Sequence, residues 1–205
     1  MDKIKLTKGE LKKQRDSLRQ YRRYLPTLQL KKQQLQAEIL HQYALLSEKK
    51  ALLEKKRNAA LVWAGLLAEG NSIQKEWFVP EKTVVLARNI AGVDLPVFSE
   101  MAFAHPDYDL FLTPLWVDSG LEALRVIVAL DAEIAVIERG MEVLKRELRI
   151  TTQHVNLFEK IKIPEAQEAI RVIKIYIGDQ MANAVGRCKI AKRKIEEFIL
   201  EEAIA

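Results

Sequence analysis

From Ile127 to Phe158 one pattern dominates this chain. Ile127, Leu130, Ile134, Ile137, Met141, Leu144, Leu148, Thr151, Val155 and Phe158 follow one another at alternating spacings of three and four residues. Only Thr151 breaks an otherwise apolar series. Side chains so spaced fall on one stripe of an α-helix. A stripe of about four and a half heptads is too long for the core-facing side of an ordinary globular helix, and it demands a second helix carrying a matching stripe. Ser119-Gly120-Leu121-Glu122 reads as a capping box opening this helix.

The matching stripe lies at the other end of the chain. Thr7-Lys8-Gly9-Glu10 is another capping box, and Leu11, Leu18, Leu25, Ile39, Leu46, Leu53, Ala60 and Leu67 then recur on a seven-residue repeat, with Lys32 as the exception. Companion rows run through Tyr21, Leu28 and Leu35, then through Leu45, Leu52, Ala59 and Leu66, widening the apolar face. Pro26 is expected to kink or interrupt this helix, and Gly70-Asn71-Ser72 to end it. Beyond Phe158, Ile163-Pro164-Glu165 perturbs the second helix. A stripe resumes at Ile170, Ile173 and Ile177, shifts phase through Met181 and Val185, and continues as Cys188, Lys192, Ile195 and Ile199. Gly178, Ala182 and Gly186 form a small-residue face beside it.

Neither helix buries its stripe alone, and each arm is long enough to reach roughly 90 Å at about 1.5 Å per residue. The expected fold is mainly α: a long antiparallel two-helix coiled coil with a small β-hairpin-containing segment between the helices. Both termini then lie at one tip. Residues 1–72 form the first coiled-coil helix, 73–118 the hairpin and loop segment, and 119–205 the second coiled-coil helix. Within the middle segment, Thr83–Ile90 and Val93–Phe98 are rich in β-formers around Ala91-Gly92, with Asn89 entering the turn and Pro96 marking an edge strand. Residues 104–118 read as an irregular loop.

Charge separates the same three regions. Residues 1–70 carry a net +9, residues 71–120 a net −4, and residues 121–205 are balanced, giving +5 overall. The basic first arm raises nucleic acid or anionic lipid as a partner. Aromatic residues are not interleaved with its cations as a single-strand platform requires, so the charge reads first as a solvated helix face. The chain lacks a long uncharged apolar run and a secretory signal pattern, and its single cysteine forms no internal disulfide, so a soluble intracellular protein is expected.

Catalytic and cofactor chemistry finds no foothold in this pattern. His41, His105, His154 and Cys188 lie far apart, without the short spacings of a zinc site. Phosphate-binding glycine loops and nucleophile-elbow motifs are also missing. Cys188 falls on a seam position and is expected to be a small core hydrophobe. The sequence therefore assigns no catalytic residue, cofactor or metal, and no enzyme activity.

Three stretches nevertheless resemble one family in order and spacing. Lys5-Leu6-Thr7-Lys8 with Leu11-Lys12-Lys13-Gln14-Arg15 and Tyr24-Leu25-Pro26-Thr27-Leu28 is similar to the start of the D subunit of the vacuolar/archaeal-type (V/A-type) ATPases, in its bacterial form. Asn89-Ile90-Ala91-Gly92-Val93-Asp94-Leu95-Pro96 resembles that family's N-[IV]-x-G-V-x-[IVL]-P turn. Val155-Asn156-Leu157-Phe158-Glu159 followed by Ile163-Pro164 resembles V-N-A-L-E…I-P, departing from it at Leu157-Phe158.

The resemblance implies a central-stalk rotor shaft of a rotary ATPase. Such a shaft transmits torque between a catalytic hexamer of A and B subunits and the membrane ion-translocating ring, coupling ATP synthesis or hydrolysis to proton or sodium transport. Its implied partners are the A and B subunits, the F subunit and a funnel subunit above the ring. Its implied place is cytoplasmic and peripheral to the membrane, with no insertion and no nucleic acid bound. On that view Lys3, Lys5 and Lys8 gather with Lys189, Lys192, Arg193 and Lys194 into a basic collar that meets the hexamer. The alternative is a coiled-coil adaptor binding nucleic acid or anionic membrane through the basic N-terminal arm.

Overall fold

A computed structural model describes residues 5–68, 75–106, 108–109 and 113–204. The described residues are mainly helical, with one two-stranded antiparallel sheet among them. Helix α1 spans Lys8–Leu61, strands β1 and β2 span Pro80–Ile90 and Val93–Phe103, and helix α2 spans Trp116–Leu157. A π-helical turn at Phe158–Lys162 leads directly into helix α3, Ile163–Ile204. Short 3-10 segments at Ala64–Ala68 and Lys75–Phe78 lie between α1 and β1. The residues form two compact units: Met1–Gln29 with Gln153–Ala205, and Leu30–Thr152.

The unit of residues 30–152 holds the heart of the predicted seam. Leu46 and Leu53 of α1 pack with Leu130, Ile134, Ile137 and Met141 of α2. Leu35 and Ile39 pack with Leu144 and with Val93 and Leu95 of β2, so the hairpin lies against both helices. Ion pairs flank the apolar seam: Lys49 to Glu133 at 2.9 Å, Lys50 to Glu138 at 2.7 Å, and Arg57 to Asp131 at 3.4 Å. Higher positions on α1 meet lower positions on α2, which is the antiparallel pairing. In the other unit, the rings of Tyr21 and Phe158 lie 5.3 Å apart, and Leu11 shares a groove with Ile177 and Met181.

The hairpin turn follows from its residues. Ala91 (φ 52°) and Gly92 (φ 77°) both adopt left-handed backbone, as the tight turn that matches strand twist requires. Asn89 clamps it: Gly92 N–H donates to Asn89 Oδ1 at 3.1 Å, and Asn89 Nδ2 donates to Asp94 Oδ1 at 2.6 Å. Pro96 pairs with Ala87, and the register slips twice, between Pro80 and Lys82 and between Val84 and Val85. Gly140 of α2 lets Pro96 approach the helix, yet a Cβ placed there would sit 3.8 Å from the proline, an ordinary contact. Gly140→Ala therefore adds helix propensity without a clash. It is expected to raise stability by about 0.5–1 kcal/mol in urea unfolding, and a loss of stability would show that the close approach needs the missing carbon.

Several sequence expectations require correction. Thr7 does cap α1, Glu10 N–H donating to its Oγ1 at 3.2 Å. Ser119, however, is not an N-cap. Helix α2 begins three residues earlier at Trp116, where Val117 N–H donates to Pro114 O at 3.0 Å and fully buried Val117 packs with Trp77 and Leu121. Tertiary burial of Trp116 and Val117 outweighs the capping signal. Pro26 does not interrupt α1. It and Arg22, whose carbonyl loses the i→i+4 donor, are both exposed, which leaves that carbonyl open to solvent. At its far end α1 stops at Leu61, and Leu67 falls in a 3-10 turn with 39% of its surface exposed. The expected stop at Gly70-Asn71-Ser72 lies outside the described residues.

Candidate functional surface

Helices that only satisfied each other would hide every stripe position. Leu35, Leu144, Ile173 and Val117 are completely buried, and Thr151 and Val155 nearly so. Leu11, Leu18, Leu25, Ile127, Leu148 and Phe158 are half-buried, while Ile39, Leu46, Leu53, Leu130, Ile134, Ile137 and Met141 are buried. Beyond Ile177 the picture changes. Every described side chain from Gly178 to Ile199 is exposed, including Met181, Val185, Ile190, Ile195, Phe198 and Ile199. Cys188 is exposed too, contrary to the core role expected from its seam position. The cause is register. The described part of α1 reaches α3 at Ile177 and Met181, where its first turns line a groove with them.

Two surfaces of the terminal unit therefore remain open to a partner. The first is that bare run of α3, an apolar stripe with cations beside it. Lys189, Lys192, Arg193 and Lys194 are all exposed there. Lys192 pairs with Glu196 at 3.7 Å and Arg193 with Glu197 at 3.5 Å, both along the helix, so part of their charge is met within α3. The second is the groove of about 600 Å³ lined by Lys8, Lys12, Arg15 and Arg19 around Leu11, Ile177 and Met181, with Asp16 as its acid. Lys5 is exposed nearby in sequence, whereas Lys3 lies outside the described residues.

The unit of residues 30–152 offers a different surface. A cleft of about 140 Å³ runs under the hairpin, lined by Arg88, Pro96 and Phe98 from the strands and His41, Glu133 and Gly140 from the helices. Around the hairpin's base, Arg125 is the organising side chain. Its Nε donates to Trp77 O at 2.9 Å, an Nη donates to Ala104 O at 2.5 Å, and its guanidinium stands over the Phe103 ring at 5.3 Å. Nearby, the Tyr108 hydroxyl donates to Asp118. That bond holds the phenol above its ordinary pKa, because the bonded carboxylate disfavours the phenolate. Sequence reading missed Arg125, for a lone arginine on a helix carries no spacing signal.

Among the described residues no cluster of His, Cys, Asp and Glu is disposed to hold a metal, and no buried side-chain nitrogen or oxygen lacks a partner. No helix among them is long and apolar enough to cross a membrane. His41, His105 and His154 come from separate elements and form no such cluster.

Comparison with known proteins adds a common theme. The family model for the D subunit of ATP synthase matches residues 10–193. The chain is 44% identical over 195 residues to a V-type ATP synthase D subunit of Borreliella burgdorferi, covering 95% of this chain and 96% of that one. It is 34% identical over 199 residues to a V-type ATP synthase D subunit of Chlamydia trachomatis, covering 95% and 97%. It is 33% identical to one of Chlamydia pneumoniae over 199 residues, covering 94% and 93%.

Proposed function

This chain belongs to the family of ATP synthase D subunits, and we propose that it is the central-stalk rotor shaft of a V/A-type rotary ATPase. In this role it transmits torque between a catalytic hexamer of A and B subunits and the membrane ion-translocating ring. The F subunit and a funnel subunit are its other partners, and it lies peripheral to the membrane on the cytoplasmic side. Nucleotide chemistry belongs to the hexamer.

One observation carries this reading: end-to-end kinship with V-type D subunits sits on a chain whose described surface is paired helix and bare stripe. Mechanically, an antiparallel pair with an apolar seam, such as α1 and α2 form within residues 30–152, resists twist better than a single helix, because turning one strand past the other must first unseat its knobs. Asymmetry is also supplied. The two strands differ, one carrying Pro26 and the other a π turn with Pro164, so three chemically equal interfaces around such an axle would meet three different faces.

The decisive experiment reconstitutes purified A, B and F subunits with this chain bearing a bead. Unidirectional stepping during ATP hydrolysis is expected. Hydrolysis with the bead stationary, or failure to assemble, would defeat the rotor role.

The exposed cations of α3 supply a narrower test. Reversing Lys192, Arg193 and Lys194 to Glu is expected to weaken binding to the hexamer by on the order of tenfold at low salt and less at high salt. Titration calorimetry at two ionic strengths reads it, and unchanged affinity removes these residues from the interface.

A further inference from the structure

The seam of α2 and α3 contains one residue too many, and the structure shows where it is stored. Thr151, Val155 and Phe158 keep the three-four rhythm. A continued rhythm would next bury Lys162 and Glu165. Instead Glu165 is exposed and Ala166, Ile170 and Ile173 are buried, with Ile163 half-buried like Phe158, so the position that answers Phe158 one heptad on falls eight residues along, one more than a heptad. In an unbroken α-helix a surplus residue would rotate every later side chain by about 100° and carry Ile170 and Ile173 off the seam. The turn Phe158–Lys162 is where that rotation is cancelled. It is π-helical, Ile163 N–H donating to Phe158 O across the wider ring.

Pro164 fixes the surplus there. It has no N–H to return to Glu159 O or Lys160 O, and in α geometry its ring would press on the Lys160 carbonyl. Glu159, Lys160 and Ile161 are all exposed, so water can take up the freed carbonyls. On either side the helix is anchored: Val155 is 5% exposed, Ala166 4% and Ile173 0%. A wide, under-bonded turn thus joins two well-packed segments.

We propose that Phe158–Lys162 is a torsional joint, a single soft turn at which twist between the two packed segments is absorbed while both stripes stay buried. The joint rests on the rotor reading for its purpose but not for its existence. Glu159 is the residue to delete, for it is exposed and makes no cross-helix contact among those described. Its removal restores the seven-residue spacing and turns the segment into plain α-helix.

Hydrogen exchange on the full-length chain tests the joint by itself. Amides of residues 159–163 are expected to exchange at least about tenfold faster than those of 169–173. Deleting Glu159 should erase most of that difference while circular dichroism keeps full helicity. Pro164→Ala, which keeps chain length and restores a donor, should erase part of it. Exchange at 159–163 no faster than at 169–173 in the native chain, or unaltered in both variants, would overturn the proposal. In the assembled complex, the angular variance of a stalled bead should fall in the deletion variant, since compliances add in series along a shaft. Unchanged variance would also overturn the joint. Failure to assemble in the native chain would instead count against the rotor role, leaving the exchange result to judge the turn.

Discussion

Leu144→Ala is expected to destabilise the chain by about 3–5 kcal/mol, the upper part of the range for emptying a fully buried leucine site. Leu144 has no exposed surface and stands where three elements meet, touching the cluster of Leu35 and Ile39 from α1 and Val93 and Leu95 from β2. Shrinking it opens a void that none of the three can fill without leaving the other two. Loss should appear in urea unfolding, and as faster amide exchange in β2 before the helices melt, because the hairpin is the smallest of the three. Leu115→Ala, at a side chain 94% exposed, is the control and should change nothing measurable. A Leu144→Ala cost below about 1 kcal/mol would mean the site collapses freely and is not a junction.

Truncation after Ile177 is expected to do the opposite, sparing the fold and removing function. Every described side chain from 178 to 199 is exposed, so deleting the chain from 178 onward removes almost no buried contact among the described residues, and unfolding free energy should change by no more than about 1 kcal/mol. If the bare stripe is what a partner covers, affinity for the catalytic hexamer should fall by on the order of a hundredfold, for large apolar side chains such as Met181, Phe198 and Ile199 supply most of such an interface. A truncated chain that unfolds would show that the helix is held by contacts within the chain. One that assembles normally would show that the stripe is idle.

These two predictions also mark what the sequence could and could not reveal. The run from Ile127 to Phe158 announced a helix and a partner because both members are amphipathic with one period. The hairpin was legible for a similar reason: Ala91-Gly92 sits between β-branched runs, with Asn89 placed to clamp it. Helix ends were poorly legible. Ser119-Gly120-Leu121-Glu122 has the letters of a capping box, yet burial of Trp116 and Val117 starts α2 earlier. Leu67 kept the repeat of α1 but lies past its last turn.

The C-terminal stripe was legible as apolar but not as uncovered. Periodicity says that a face wants burial, and only the register between helices says whether the chain can provide it. The extra residue near Pro164 did leave a trace, since eight positions separate Phe158 from Ala166. Small alanines at 166 and 169 concealed that trace from a search for large apolar side chains. The cations assigned through the resemblance gain nothing from spacing alone: Lys189, Lys192, Arg193 and Lys194 are all exposed, and Lys192 and Arg193 find partners in Glu196 and Glu197 on the same helix.

Arg125 bears on how such a molecule tolerates change. One guanidinium donates to the carbonyls of Trp77 and Ala104, the residues just outside the two strands, so the points where the chain leaves for the hairpin and returns from it are no farther apart than a single side-chain head group spans. The two strands between them are held twice, by this clip at their base and by Val93 and Leu95 buried with Leu35, Ile39 and Leu144. Shortening or replacing that excursion is therefore expected to spare the helices only when both the clip and the buried face of β2 are left in place.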